Sequence, residues 1–487
     1  MTNRSYLLGS AVIAALGGLL FGFDAVVISG TTDALKSVFR LGDFALGFTV
    51  ASALIGTIVG SVVVGRPADR FGRRAVLIAI AVLYVVSSIG TALAWDWYSF
   101  LVLRFFGGIG IGGASVVSPM YIAEISPARY RGRLVAITQF NIVFGILLAF
   151  FSNYTIAQLG LGSSDWRWMF GVLAAPSAAF FCLLFLTPLG PRWLVSQNRD
   201  QEARAELQRL GTDAGSVDRE IEEIRDSLDL EHHTLEEPLF QRAYLRPILL
   251  VVAIAMFNQL SGINALLFYA PSIFRMAGAD ANAALLQAVA VGGTNLLVTM
   301  AALSVIDFFG RRKLMIVGSI GYILSLGATA WAFYAYGAEF NAAMAAAENL
   351  AKLKAAAVFD GPAVAAAGSS LAAASAAASA GSAVVLVSLL VFIASHAFGQ
   401  GAVIWVFISE IFPNRVRARG QALGSFTHWF MCALISWTFP VIAAASGGHA
   451  FAFYAAMMVL QLLWVLFLMP ETKGVSLEEI QKRLGIE

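Results

Sequence analysis

Along this chain of 487 residues, long apolar runs alternate with short polar breaks. About twelve runs are long enough to cross a hydrocarbon layer as helices, beginning near residues 7, 44, 75, 98, 134, 168, 246, 283, 313, 383, 420 and 449. Six precede and six follow a stretch from Gly190 to Arg246 in which hydrophobicity collapses. There DREIEEIRDSLD (218–229) spaces acids and Arg three or four apart, as on solvated helices. The pattern predicts an all-α integral membrane protein: a six-helix bundle over 1–189, a cytoplasmic helical linker over 190–245, a second bundle over 246–470 and a cytoplasmic tail over 471–487. A further interruption, 337–382, is Ala in 21 of its 46 positions. Ala-Ser sequence is barely apolar, so this segment reads as an extracytoplasmic, partly helical insertion and not as a thirteenth crossing.

Composition agrees with that reading, because 59% hydrophobic and 13% charged residues leave too little polar surface for water-soluble domains. The net charge of +2 hides an asymmetry. Of the 32 Lys and Arg, 25 fall at the termini or in the loops between even and odd helices, six in the opposite loops, and one, Arg104, inside a span. By the positive-inside rule both termini are cytoplasmic, and one missed or extra helix would scramble the alternation. The start, MTNRSYLL, reads as an uncleaved first helix. Cys182 and Cys432 offer neither a disulfide framework nor a metal-ligand spacing. Neither a nucleophile–base arrangement nor paired catalytic carboxylates can be picked out, so the expectation is a non-enzyme without metal or cofactor and without a nucleic-acid partner.

The halves share motifs. DRFGRR (69–74) recurs as DFFGRR (307–312), and YIAEISPARYRG (121–132) as FISEIFPNRVRA (407–418), so Glu124 and Arg131 align with Glu410 and Arg417. The offsets are 238 and 286, and their difference places an insertion between the motifs, where the Ala-rich stretch lies. Gly72 and Gly310 suit a tight turn that sets Asp69 and Arg73, or Asp307 and Arg311, among guanidinium groups on neighbouring helix ends. FGGIGIGG (106–113) matches a nucleotide-binding glycine pattern, but it follows no strand; its small residues suit close helix contact.

One acid interrupts the first run, Asp24 in GGLLFGFDAVVISG (17–30). A charge at the centre of a membrane helix costs about 2.5–3.5 kcal/mol on insertion scales, so it needs a partner or a task. Counted from Leu7, it lies roughly 25 Å along an outward-running helix, and Arg104 lies roughly 9 Å below the outer end of the fourth. Both charges fall in the outer part of one bundle, which predicts a pair. A carboxylate beside Arg keeps its charge, whereas one parted from it in apolar surroundings takes a proton. A static pair that fixes helix packing is the alternative.

Taken together, the paired D-x-x-G-R-R loops, PMYIAEISPARYRG, QLSGIN, SEIFPNRVRARG and the terminal PETKG resemble the sugar porter family of the major facilitator superfamily, from about residue 16 to 474 apart from the insertion. The resemblance implies twelve helices in two bundles that rock about a midplane site. It also implies a latch on the cytoplasmic side from Asp69, Arg73, Glu124, Arg131, Asp307, Arg311, Glu410 and Arg417. Sugar-contacting positions correspond to Gln139, Asn258, Gln259, Asn264, Asn295, Trp405, His428 and Trp429. Symporters of the family carry Asp where Asp24 stands, and many passive facilitators carry Asn. There are departures: Asn258 replaces one of two consecutive Gln, His428 replaces an amide, and TPLGPRWL (187–194) lacks a usual Glu. The expectation is a monomeric carrier of a hexose or pentose with a proton, in a bacterial inner membrane. A passive facilitator is the alternative, and a transporter-like receptor a more distant one.

Overall fold

In hydrocarbon a backbone must satisfy its own hydrogen bonds, so each apolar run winds into a helix. The structure, a computed structural model, describes residues 3–127, 130–212, 215–234, 238–355, 361–413, 415–475 and 477–486. Among them, twelve helical stretches are long and apolar enough to cross a membrane: Ser5–Gly30, Asp43–Val63, Arg73–Leu93, Trp97–Ile125, Arg131–Gln158, Gly162–Leu184, Arg242–Met276, Ala281–Val305, Arg311–Ala335, Gly361–Glu410, Arg417–Ala445 and Gly447–Phe467. They are numbered here from first to twelfth span. The face of the molecule holding the ends of the first and twelfth spans is the terminal face, and the opposite one the distal face.

Within the first half the second span packs on the fourth and the first on the fifth. The glycines of FGGIGIGG set the former contact. A Cβ on Gly108 would strike the Ala53 backbone, and one on Gly112 would strike that of Thr57, so only glycine lets these backbones approach. In the second half the ninth span packs on the twelfth. Between halves the second span meets the eleventh, and the fifth meets the eighth.

The distal face carries several cross-half side-chain contacts. Thr32 and Ser272 share a hydrogen bond of 3.0 Å, Asp33 forms an ion pair with Arg275, and Gln158 donates to Asn282 at 3.1 Å. The Trp437 ring lies 5.2 Å from Phe44 and 4.9 Å from Phe48.

Several spans depart from single straight helices: the sixth is divided into Asp165–Gly171 and Ala174–Leu184, and the tenth is interrupted at Gly399 before Gln400–Glu410. The seventh consists of Leu245–Leu260 and Ile263–Met276, separated at Ser261 and Gly262, whose φ of +82° a side chain would strain. The tenth begins inside the Ala-rich stretch as one 38-residue helix, Gly361–Phe398. At 1.5 Å per residue it is about 57 Å long against about 30 Å of hydrocarbon, so its outer part stands clear of the membrane. Gly337–Ala355 runs beside it, and Ala343 and Ala378 bound the space at Gly278, so the hairpin sits on the distal end of the seventh span. Between the halves, helices Asp200–Leu210 and Val217–Thr234 share a small core of Leu194, Val195, Ala203, Leu207, Val217 and Ile221.

Candidate functional site

Asp96 fixes where the fourth span starts. Its carboxylate accepts the Ser99 backbone N–H at 2.7 Å while the Ser99 hydroxyl accepts the Asp96 N–H at 3.2 Å, a reciprocal cap. Hydrogen bonds from the Ser99 backbone and side chain hold the Asp96 carboxyl below its ordinary range. Two turns further in stands Arg104, which faces the first span. Its Nη1 donates to Asp24 Oδ1 at 2.5 Å and its Nη2 to the Asp24 backbone carbonyl at 3.1 Å, with both residues only 2% exposed. The guanidinium lies 5.2 Å from the centre of the Phe170 ring. Asp24 Oδ2 is buried without a hydrogen-bond partner among the described residues, beside Gly107; the nearby Ser87 hydroxyl is spent on the Leu103 carbonyl at 2.8 Å. The pair therefore leaves one carboxylate oxygen, shielded from water by protein, on which a proton could sit.

A second polar cluster lies in the other half, at the break in the seventh span. Gln259, fully buried, donates to Asn258 Oδ1 at 2.9 Å and accepts from Asn264 Nδ2 at 2.7 Å, across the break. Its Nε2 lies 3.3 Å from both ring nitrogens of His428. The His428 ring stands 5.1 Å from Trp405 and 5.0 Å from Trp429. Trp405 is 44% exposed, so this cluster of amides and aromatic rings opens onto accessible space. Such a set suits a polyhydroxylated ligand: each hydroxyl leaving water needs a new partner, and the C–H faces need rings. Trp429 also meets Phe21 of the first half at 5.8 Å, and Phe21 precedes Asp24 by about one helical turn.

The structure thus joins Asn258, Gln259, Asn264, Trp405, His428 and Trp429. Gln139 and Asn295 stand on the fifth and eighth spans, which pack together across the halves; Asn295 accepts from Thr299 at 3.4 Å.

At the terminal face the D-x-x-G-R-R turns hold Gly72 at φ +86° and Gly310 at +84°. Arg73 bridges Asp69 at 3.0 Å and Glu124 at 2.7 Å, and Arg311 reaches Glu410 at 2.8 Å. In this structure the arginines that meet the two glutamates are Arg73 and Arg311, whereas Arg131 and Arg417, which accompany the glutamates in the repeated motifs, stand elsewhere. Arg131 is exposed at the start of its helix, and Arg417 donates to the Phe412 carbonyl at 3.4 Å. The reason is local: an Arg following the glycine turn emerges at a helix start that faces the glutamate of the fourth or tenth span. The Asp307 side chain lies outside the described residues.

Repetition extends further than the motifs indicated. Arg74 donates to the carbonyls of Leu184 and Phe185 at 3.0 and 2.7 Å, and Arg312 to those of Val465 and Leu466 at 3.1 and 2.5 Å. Each closes the orphan carbonyls at the end of its half's last span. Glu471 of PETKG accepts the backbone N–H of Arg311 and Arg312 at 3.0 and 3.1 Å, capping the ninth span, while Thr472 donates to Glu410 at 2.6 Å. Sequence reasoning passed over Glu471 and Thr472 as site residues, although the motif holding them was in view. The first half has Leu189 where the usual Glu is missing; Leu189 packs on the linker core, and Glu124 Oε2 stays buried without a hydrogen-bond partner among the described residues.

Comparison with known proteins places this geometry. The chain is 35% identical to the D-xylose-proton symporter of Escherichia coli K12 over 516 aligned positions, covering 98% of this chain and 96% of the relative. It is 34% identical to the glucose transport protein of a Synechocystis strain, covering 98% and 97%. The structure superposes on the inward-open conformation of the E. coli xylose transporter XylE with a TM-score of 0.79 at 34% identity, covering 98% of this chain and all of that one. The family described as "Sugar (and other) transporter" matches residues 10–484, and with this fold and these relatives the chain belongs to that family of twelve-helix major facilitator transporters.

Proposed function

We propose that this chain carries a monosaccharide, a hexose or a pentose, across the membrane together with a proton by alternating access. The observation that carries the coupling is the buried Asp24–Arg104 pair with Oδ2 left unpartnered. Relatives named as a D-xylose-proton symporter and a glucose transport protein support the cargo.

In this reading Asn258, Gln259, Asn264, Trp405, His428 and Trp429 hold the sugar, with Gln139 and Asn295 completing the cavity from the fifth and eighth spans. The amides bond to one another, so an arriving sugar exchanges its hydroxyls for those mutual bonds at small net cost. Trp429 against Phe21 links the occupied site to the helix bearing Asp24. Rocking that parts Asp24 from Arg104 lets the acid take a proton, and rejoining expels it. Proton and sugar thus share one conformational cycle.

The terminal face is cytoplasmic by the excess of Lys and Arg there, which makes the protein multi-pass in a cell membrane with both termini inside. The closed distal contacts and the likeness to an inward-open relative support an inward-facing state. Asp69, Arg73, Glu124, Arg131, Asp307, Arg311, Glu410 and Arg417 form the cytoplasmic latch: the Arg73–Glu124 and Arg311–Glu410 pairs stand within each half here, and contacts between the halves close in the opposite state. Since the sites lie within one chain, a monomer is sufficient.

Accumulation in proteoliposomes tests this. With an acid-outside gradient, wild type concentrates labelled xylose or glucose, whereas Asp24→Asn equilibrates the sugar without concentrating it. Concentration by the mutant would remove Asp24 from coupling, and a wild type that only equilibrates would be a passive facilitator.

A further inference from the structure

Two spans that give no residue to the sugar cluster, the ninth and the twelfth, meet the tenth where it breaks. After Phe398 the tenth span resumes as Gln400–Glu410, a short helix that carries Trp405 near its middle and Glu410 of the terminal face at its end. At the break Gly399 has non-helical dihedrals, φ −93° and ψ −98°, and a Cβ there would come 2.9 Å from Gly318 Cα on the ninth span. The two backbones touch beside the break, and Gly399 has no side chain with which to hold it.

The next residue supplies the hold. Gln400, fully buried, donates to Gln461 Oε1 of the twelfth span; Gln461, also fully buried, donates to Ser319 Oγ of the ninth at 2.8 Å, and Ser319 donates to the Met315 carbonyl at 2.7 Å. Donor counting gives the chain its direction. Ser319 spends its hydrogen on Met315, so the group of Gln461 that faces it is the amide nitrogen, which leaves the Gln461 oxygen for Gln400. Among the described residues this is the one hydrogen bond of the Gln400 side chain, whose own oxygen is buried without a partner. The same face of the twelfth span backs the other wall of the site. Trp464, one turn after Gln461, packs at 5.9 Å on Phe257, which adjoins Asn258, and a Cβ on Gly262 would strike the ring of Tyr454, two turns before Gln461. Apolar contacts of this kind are non-directional and tolerate sliding, whereas an amide hydrogen bond weakens steeply when its distance or angle changes.

We propose that Gln400 and Gln461 are positioning residues for sugar binding: their clamp registers the short helix bearing Trp405 against Asn258, Gln259 and Asn264 by way of the twelfth span. The inference rests on the transport reading above, since it concerns the same sugar site. It assigns no sugar contact to either glutamine. Without the clamp every site side chain is still present but the spacing of the two walls is loose, so affinity falls while turnover of bound sugar is kept.

Uptake of labelled D-xylose and D-glucose, measured as KM and Vmax separately, together with the thermal midpoint in detergent, tests the clamp. Gln461→Leu removes the bond and strands the Gln400 amide; it is expected to raise KM about tenfold, to leave Vmax per reconstituted molecule within about twofold and to lower the midpoint. Gln400→Leu combined with Gln461→Leu leaves no stranded amide, so the midpoint should return to near wild type while KM stays raised. This double variant decides the matter if the single one folds poorly. Met458→Ala, which opens a cavity at a fully buried position one turn before Gln461, should lower the midpoint and leave KM unmoved. A KM that recovers along with stability in the double variant, or that moves as far in Met458→Ala, overturns the proposal, because the glutamines would then serve packing alone. A wild type with no saturable uptake of either sugar overturns the transport reading and this inference with it; saturable wild-type uptake with KM unmoved in both Leu variants overturns the clamp alone.

Discussion

Gln259 is the residue on which the sugar site turns, because it is the one amide in contact with three of the others' side chains: Asn258, Asn264 and His428. Truncating it to Ala deletes its own bonds to a ligand and strands Asn264 and His428. Each buried hydrogen bond lost costs about 1–3 kcal/mol, and about 1.4 kcal/mol is a factor of ten. Gln259→Ala is therefore expected to raise the sugar KM at least about tenfold while the protein elutes as a folded monodisperse species; unchanged saturation kinetics would displace Gln259 from the site. Asn258 and His428 are the departures from the family pattern noted in the sequence, and both sit on Gln259. Their substitution toward the usual residues, Asn258→Gln with His428→Gln, is expected to alter the preference among monosaccharides, read by competition against labelled xylose. An identical ranking would show that these two positions do not set selectivity.

At the scale of helices, the terminal face shows how polar residues anchor a repeated scaffold. Glu471 caps the ninth span with both carboxylate oxygens, and Thr472 holds Glu410. Loss of such a cap costs about 1–2 kcal/mol. Glu471→Ala is expected to lower the thermal midpoint of the detergent-solubilised protein by a few degrees, whereas Glu471→Gln, able to accept one bond, should recover part of the loss. The first half lacks the matching acid, so Leu189→Ala should disturb the linker core and leave the start of the third span unaffected, a contrast visible by hydrogen exchange. Much of this layer was legible in sequence: the glycine turns, the repeated acids and the pairing of Asp24 with Arg104 followed from spacing and from the cost of an unpartnered charge. Which Arg meets Glu124 did not, because several Arg crowd one loop and only the exit direction of the chain after Gly72 decides among them. The break at Ser261 and Gly262 was likewise hidden inside a continuous apolar run, where hydropathy records burial and not backbone direction. The start of the tenth helix at Gly361, well before its apolar part, was masked by the same averaging.

For the whole molecule, the two halves meet at the distal face through few polar contacts, which suits a surface that must open and reclose. Asp33 and Arg275 form the one ion pair across halves among the described contacts there. Arg275→Gln is expected to loosen the closure and shift the population toward the outward-open state. Spin labels at Leu159 and Ala281, on opposite halves, would then report a broader and longer distance distribution. Exchange of the two charges, Asp33→Arg with Arg275→Asp, should bring it back, and an unaltered distribution in Arg275→Gln would show that the aromatic contacts at Trp437 hold the face alone. The fold class and its pseudo-symmetry were readable from twelve apolar runs and two repeated motifs, whereas the conformational state was not, since one sequence encodes every state of the cycle. The hairpin raised on the ninth and tenth helices adds a mechanical property. Among the described residues it packs on the second half, so a tilt too slight to follow at the midplane is expected to move the outer parts of its two helices by a displacement that grows with their height. A fluorophore on the exposed Lys352 would turn each transport cycle into a measurable swing.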